Sequence, residues 1–140
     1  MKHDEICNRI PHAGSMCLLQ EVIDWDDTKL LCRASSHLLK DNPLRGHGCL
    51  PAVAGVEYAG QAMALHGGLT GGEDSPRTGY LASVRNLEMA VERLDDVDSD
   101  LVISVERMAG GADSFMYAFR LTANDRTLIS GRAAVRLMEP

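Results

Sequence analysis

The sequence predicts an α+β domain: an antiparallel sheet of five to six strands curved around one long central helix. Three observations carry this. Pro51 to Gly68 is the one long helical pattern in the 140 residues. Strand-like segments flank it, a hairpin before and four shorter segments after. The helix is small or apolar on nearly every side, so it has to be covered rather than laid on a surface. A hydrophobic content of 45% suits one core, and residues 1–140 read as a single domain without repeats, low-complexity tracts or linkers.

In chain order, residues 4–10 suit a short helical turn with Ile6 and Ile10 on one side. Pro11 stops it and Gly14 permits a turn. Met16 to Trp25 is rich in Leu, Val and Ile and reads as a strand, Asp26-Asp27-Thr28 as a turn, and Lys29 to Ser35 as the returning strand. Ser36 to Leu50 is polar and irregular, a length of loop that is often functional. Pro51 suits the first turn of the helix, since its missing N–H is not needed there. Gly67-Gly68 can close the helix, with His66 in the last turn. Gly71 to Arg77 is a second loop, Gly79 to Met89 a strand, and Val91 to Asp100 a charged connection. Asp100 to Met108 alternates with Leu101, Ile103 and Val105 on one face. After the loop Ala109–Ser114, the next strand puts Phe115, Tyr117, Phe119 and Leu121 on one face. Asn124-Asp125 turns the chain into Thr127 to Met138, whose small residues Gly131 and Ala133 would let a helix approach closely. A sheet wrapped round a single helix in this way is the hotdog fold.

Net charge is −6 with scattered basic residues, which argues against nucleic-acid binding. No run reaches the ~18 apolar residues of a membrane span, and no signal-peptide core is seen, so a cytoplasmic protein is expected. Cys7, Cys17, Cys32 and Cys49 show no Cys-x-x-Cys spacing and read as reduced thiols. Histidines and cysteines look too few and too scattered for a metal site.

One residue stands out on the helix. Glu57 is the only acid between Asp41 and Glu73. A carboxylate taken out of water is costly and favours its protonated form. The plainer alternative is a partly wet position or an arginine partner. Gln61 lies one turn further on the same face, where it can hold the Glu57 side chain.

These residues carry a resemblance. Ile10-Pro11-His12 followed by Met16-Cys-Leu-Leu19 resembles the opening of the hotdog 3-hydroxyacyl-(acyl carrier protein) dehydratases of fatty-acid and polyketide synthesis. That family's site runs from a histidine to a proline eight residues on, an acid six further and a glutamine four beyond. Pro51, Glu57 and Gln61 keep the last two spacings. Gly79-Tyr-Leu-Ala-Ser-Val84 is similar to the family strand after the helix. Asn42-Pro43-Leu-Arg45 and Gly55 to Gly67 are closer to one subgroup, the atypical dehydratase-like proteins of aryl-polyene pigment clusters. The departure is at the histidine: eight residues before Pro51 stands Pro43, and the glycine after the family proline is Ala52.

The resemblance implies removal of water from 3-hydroxyacyl thioesters. Glu57 would protonate the leaving hydroxyl, and the helix-start N–H groups of Ala52 and Val53 would hold the thioester oxygen. Asn42 and Pro43 would line the substrate path. The substrate would arrive on the phosphopantetheine arm of an acyl carrier protein, with no other cofactor. Sites would form in a homodimer or in a heterodimer with a second hotdog dehydratase. The family base is missing, and His47 is the candidate replacement within this chain. His37 reads as a hairpin terminator, His12 as structural, and His66 is too far along the helix, ~13 Å from Glu57. Cys49 with His47 is a conceivable nucleophile, against the simpler reading of a packed thiol. The rivals are a hotdog thioesterase, in which Glu57 activates water, and a non-catalytic subunit that shapes a partner's tunnel.

Overall fold

The computed structural model describes residues 1–9, 16–71, 79–111 and 113–137. A short helix, α1 (His3–Arg9), precedes β1 (Glu21–Trp25) and β2 (Lys29–Ala34). A 3-10 turn at Ala52–Ala54 runs into the long helix α2 (Gly55–Thr70). Then come β3 (Gly79–Met89), β4 (Leu101–Gly110), β5 (Ser114–Ala123) and β6 (Arg126–Leu137). The strands make one sheet in the order β1-β2-β4-β5-β6-β3, antiparallel at every pairing. This is the hotdog arrangement the alternation and the single helix imply.

Alternation fills the space between sheet and helix. Leu101, Ile103 and Val105 of β4, Tyr117, Phe119 and Leu121 of β5, and Ile129, Ala133 and Val135 of β6 are buried. They share one core with Tyr58, Ala59, Ala62, Met63 and Leu65 of α2. The β5–β6 turn uses Asn124 and Asp125 at φ 51° and 62°, the paired left-handed conformation of a tight hairpin. Helix and sheet approach closely at Gly55, where a Cβ would collide with Ile129 Cδ1 and lie 3.1 Å from Leu121 Cδ2. The small residue of β6 serves a different neighbour from the one expected: a Cβ at Gly131 would sit 2.8 Å from Phe119 Cζ. Gly131 makes room for a ring in its own sheet.

Three sequence readings are corrected. The first strand begins at Glu21 rather than Met16, because side chains claim the backbone of residues 16–19. Gln61 bonds the Met16 carbonyl and the Leu18 N–H, Ser36 Oγ donates to the Leu18 carbonyl, and His3 Nδ1 to the Leu19 carbonyl. The helix passes through Gly67-Gly68 and ends at Thr70. Thr70 Oγ1 donates to the His66 carbonyl at 2.8 Å, and the Gly71 N–H to the Gly67 carbonyl at 2.9 Å. Finally, α2 is not covered all round. Val56, Glu57, Gly60, Ala64 and Gly67 are half-buried and Gly68 is exposed, a stripe at helical spacing that the sheet leaves open.

The far end of α2 is tied down by a polar cluster. His66 Nε2–H donates to the Asp26 carbonyl, and its Nδ1 accepts from Tyr117 Oη at 2.8 Å. Arg107 donates to Tyr117 Oη and to Thr70 Oγ1, and stacks over the Phe115 ring at 4.3 Å. Burial pushes the His66 pKa down, against the carbonyl bond from Asp26. His66 is therefore a neutral core residue and not a charged helix-end residue.

Candidate functional site at the start of the long helix

The charged connection between β3 and β4 is a strap that fixes the helix start. Leu94 N–H donates to the Leu50 carbonyl at 2.9 Å, and the Ala52 N–H to the Glu92 carbonyl at 3.0 Å. Asp95 Oδ1 accepts the Leu50 N–H at 2.9 Å. Arg93 bonds Asp95 through Nε and Nη2, and this bond above all holds the Asp95 carboxyl well below the usual carboxylate range. Arg45 Nη1 lies 3.9 Å from the same carboxylate. Asp95 carries no sequence signal beyond its place in an acidic run, and its role was missed.

These bonds divide the two amides expected to hold a thioester oxygen. The Ala52 N–H is committed to Glu92, so its use would break a bond of the fold. The Ala54 N–H is likewise bonded, to the Pro51 carbonyl at 3.0 Å. Val53 lies between them with 53% of its surface exposed.

Glu57 sits in the first turn of α2, half-buried rather than sealed. Gln61 Nε2 is 3.4 Å from Glu57 Oε1. Gln61 itself is fully buried, with Oε1 accepting the Leu18 N–H at 2.9 Å and Nε2 donating to the Met16 carbonyl at 2.5 Å. Every polar atom of that amide is thus fixed by backbone from outside the helix. The structure brings Glu57 and Gln61 together and locks the second of them.

The loop before the helix is arranged otherwise than expected. Asn42 is held by the fold's own polar groups. It is buried, with Nδ2 donating to the Ser36 carbonyl and Tyr58 Oη, and Oδ1 accepting the Leu44 N–H. The physical reason is a polar knot: Tyr58 Oη of the helix also bonds Ser36 Oγ at 2.8 Å, and Asn42 completes it. Pro43 is exposed in the following turn. His37 is fully buried, Nε2 donating to the carbonyls of Val97 and Ser99, each at 2.9 Å. Burial pushes its pKa down. His47 is exposed at φ 53° with Gly48 at φ 80°, the tip of a tight turn closed by the reciprocal Gly46–Cys49 bonds. Gly48 is suited to that conformation and His47 less so. Cys49 closes the same turn. His12 and Pro11 lie outside the described residues.

The cysteines also depart from expectation. Cys7 and Cys17 form a disulfide, with Cα atoms 5.6 Å apart. Packing of α1 along residues 17–19 brings them together, which their spacing could not announce. Nor are histidine and cysteine scattered in space: ligand atoms of His3, Cys7 and Cys17 lie within 4.8 Å of one another. Cys32 is buried and free, its thiol pushed up to about 12 by desolvation.

A long helix wrapped by an antiparallel sheet, with an acid–amide pair near the helix start, defines a hotdog protein. A family profile described as ApeP-like, ApeP dehydratase, matches residues 4–140. The chain belongs to the ApeP-like dehydratase family. Among solved structures it is similar to the dehydratase heterocomplex ApeI:P from Xenorhabdus doucetiae, at TM-score 0.83 and 21% identity over 99% of this chain and 92% of that one. It is also similar to thioesterase HI1161 from Haemophilus influenzae, at TM-score 0.70 and 8% identity over 99% and 92%. A third is a mutant thioesterase PA1618 from Pseudomonas aeruginosa, at 0.68 and 14% over 99% and 94%. These likenesses establish the fold. No curated protein matches the chain. Among the described residues, no helix is long and apolar enough to cross a membrane.

Proposed function

We propose that the chain is the acid-bearing half of a two-chain dehydratase acting on 3-hydroxyacyl groups carried by an acyl carrier protein. The observation that carries this is Glu57 beside the immobilised amide of Gln61, on a helix stripe the chain's own sheet leaves open. The family supports the reaction class, and the similar ApeI:P structure, a dehydratase heterocomplex, supports a second hotdog chain as partner.

The chemistry follows from the residues. A base takes the proton from the carbon next to the thioester carbonyl, while Glu57 protonates the departing hydroxyl as water. The Val53 N–H, at the positive end of α2, is the amide placed to hold the carbonyl oxygen as charge builds on it. Gln61 Nε2 meets one carboxylate oxygen of Glu57, which orients the group that delivers the proton. The base comes from the partner: His37 is committed to Val97 and Ser99, and His66 to Asp26 and Tyr117. The exposed apolar side chains Val53 and Val84, and the long outer strand β3, offer the partner a surface beside this site.

The test is product analysis. The chain is mixed with a histidine-bearing hotdog partner and a 3-hydroxyacyl carrier protein. The expected product is the 2-enoyl carrier protein, formed only when both chains are present. Free carboxylic acid would make it a thioesterase instead. Full turnover by a mixture carrying Glu57→Gln would reduce the chain to a shaping subunit.

A further inference from the structure

We infer that the reduced form of this protein binds one thiophilic divalent cation, zinc being the natural fit, through His3 Nε2, Cys7 Sγ and Cys17 Sγ. The inference is independent of the dehydratase reading. His3 and Cys7 lie four apart on α1 and so share a face. Cys17 meets them from the segment ahead of β1, and the three ligand atoms lie within 4.8 Å of one another. A zinc ion bound at the usual Zn–S and Zn–N lengths holds such atoms about 3.5–3.8 Å apart, so the two sulfurs separate from bonding distance once reduced while His3 Nε2 is already near that spacing from Cys7 Sγ.

A second observation concerns the imidazole. His3 Nδ1 is 2.6 Å from the Leu19 carbonyl. A carbonyl only accepts, so Nδ1 carries the proton and Nε2 presents its lone pair. That lone pair faces Cys7 Sγ at 3.4 Å. In the disulfide form the sulfur has no hydrogen to give it, so a ring nitrogen of fixed tautomer points at sulfur without a proton between them. A histidine held by a backbone carbonyl through its other nitrogen is the outer-shell arrangement of metal-ligating histidines. Two sulfurs and one imidazole leave a fourth position for water, and softness of the donors selects zinc-like ions over magnesium or calcium. His3 and Cys7 are half-buried, so an ion can reach them from solvent.

The structure holds the oxidised state, and loading requires reduction. Two molecules of an external thiol supply two electrons and two protons; the Cys7–Cys17 bond breaks to two thiols and the external thiol leaves as its own disulfide. The cation then displaces both thiol protons to solvent. Cys17 stands between Met16 and Leu18, the residues that grip Gln61, so the site adjoins the clamp on the acid.

The test uses the full chain, reduced and kept from air, with Co2+ as a coloured probe and Zn2+ as competitor. One equivalent of Co2+ should bind with a sulfur-to-metal charge-transfer band and be displaced by Zn2+. Oxidised protein should bind none. Cys7→Ser and Cys17→Ser should each abolish the band, and His3→Ala should weaken binding about tenfold or more. Circular dichroism of each variant separates ligand loss from unfolding. Reduced wild type that takes up no metal would overturn the inference. So would a folded Cys7→Ser or a His3→Ala chain that binds as tightly as wild type.

Discussion

Gln61 Nε2 and Glu57 Oε1 lie 3.4 Å apart across one turn of α2, and the same Gln61 amide spans the Met16 carbonyl and the Leu18 N–H. The carboxylate is thereby oriented by a side chain whose own position is set from outside the helix.

Glu57→Gln should keep the fold, since the new amide can still meet Gln61. It should lower the dehydration rate of the two-chain mixture by at least ~10²-fold, the usual cost of losing a general acid. A folded variant with unchanged rate would remove Glu57 from the chemistry.

Gln61→Met tests the clamp. It fills similar space but orphans the Leu18 N–H and the Met16 carbonyl, each bonded by Gln61 in a buried setting. Unsatisfied buried groups cost ~1–3 kcal/mol each, so urea unfolding should report a loss of at least about 2 kcal/mol. A smaller loss would mean that water reaches the clamp.

Much of the sheet was legible because its side chains obey a local rule. Leu101 to Glu106 alternates buried and half-buried, and Asn124-Asp125 has the residue types a left-handed tight turn favours. What failed depended on distant partners. Met16 to Leu19 reads as strand, yet side chains from positions 3, 36 and 61 claim its backbone. Asn42 reads as a loop polar group, yet Tyr58 and Ser36 bury it. Spacing put Glu57 beside Gln61 because both lie on one helix, and missed Asp95 and the Cys7–Cys17 bond because neither has a local signature.

Two helix glycines should respond in opposite directions. Gly68 is exposed, and a Cβ there meets nothing within 4 Å. Gly68→Ala should therefore stabilise the isolated chain by roughly 0.5–1 kcal/mol through helix propensity. Gly55→Val drives its branched side chain into Ile129 and Leu121 and should destabilise by ~1–3 kcal/mol. Thermal unfolding of both variants checks this, and equal midpoints would contradict the close approach at Gly55.

Buried histidines set a pH dependence. Burial lowers the pKa of both His37 and His66, more than their carbonyl bonds raise it. Below the ordinary histidine value of ~6.5 the unfolded chain gains protons that the folded chain refuses, so stability falls as pH falls. The slope can reach about 1.4 kcal/mol per pH unit for each histidine. Urea unfolding between pH 7.5 and 5.5 should show this decline. His37→Gln, which keeps a donor toward Val97 and Ser99, should make it shallower; an unchanged slope would exclude His37 as a source.

The last prediction separates an internal base from a borrowed one. His47 is the one histidine of the loop that is exposed, and it rides on the tip of a turn that Gly46 and Cys49 close by mutual bonds. Moving it to Glu57 would mean opening that turn. The partner's histidine has no such obstacle, because Val56, Glu57, Gly60 and Ala64 form a half-buried stripe open to a second chain. His47→Ala should therefore leave the rate of the two-chain mixture within a few-fold of wild type. Replacing the partner's active-site histidine by alanine should cost ~10²-fold or more, the range for a lost general base. If His47→Ala produces the large loss and the partner's change does not, the base belongs to this chain, and the turn at Gly46–Cys49 must open during turnover.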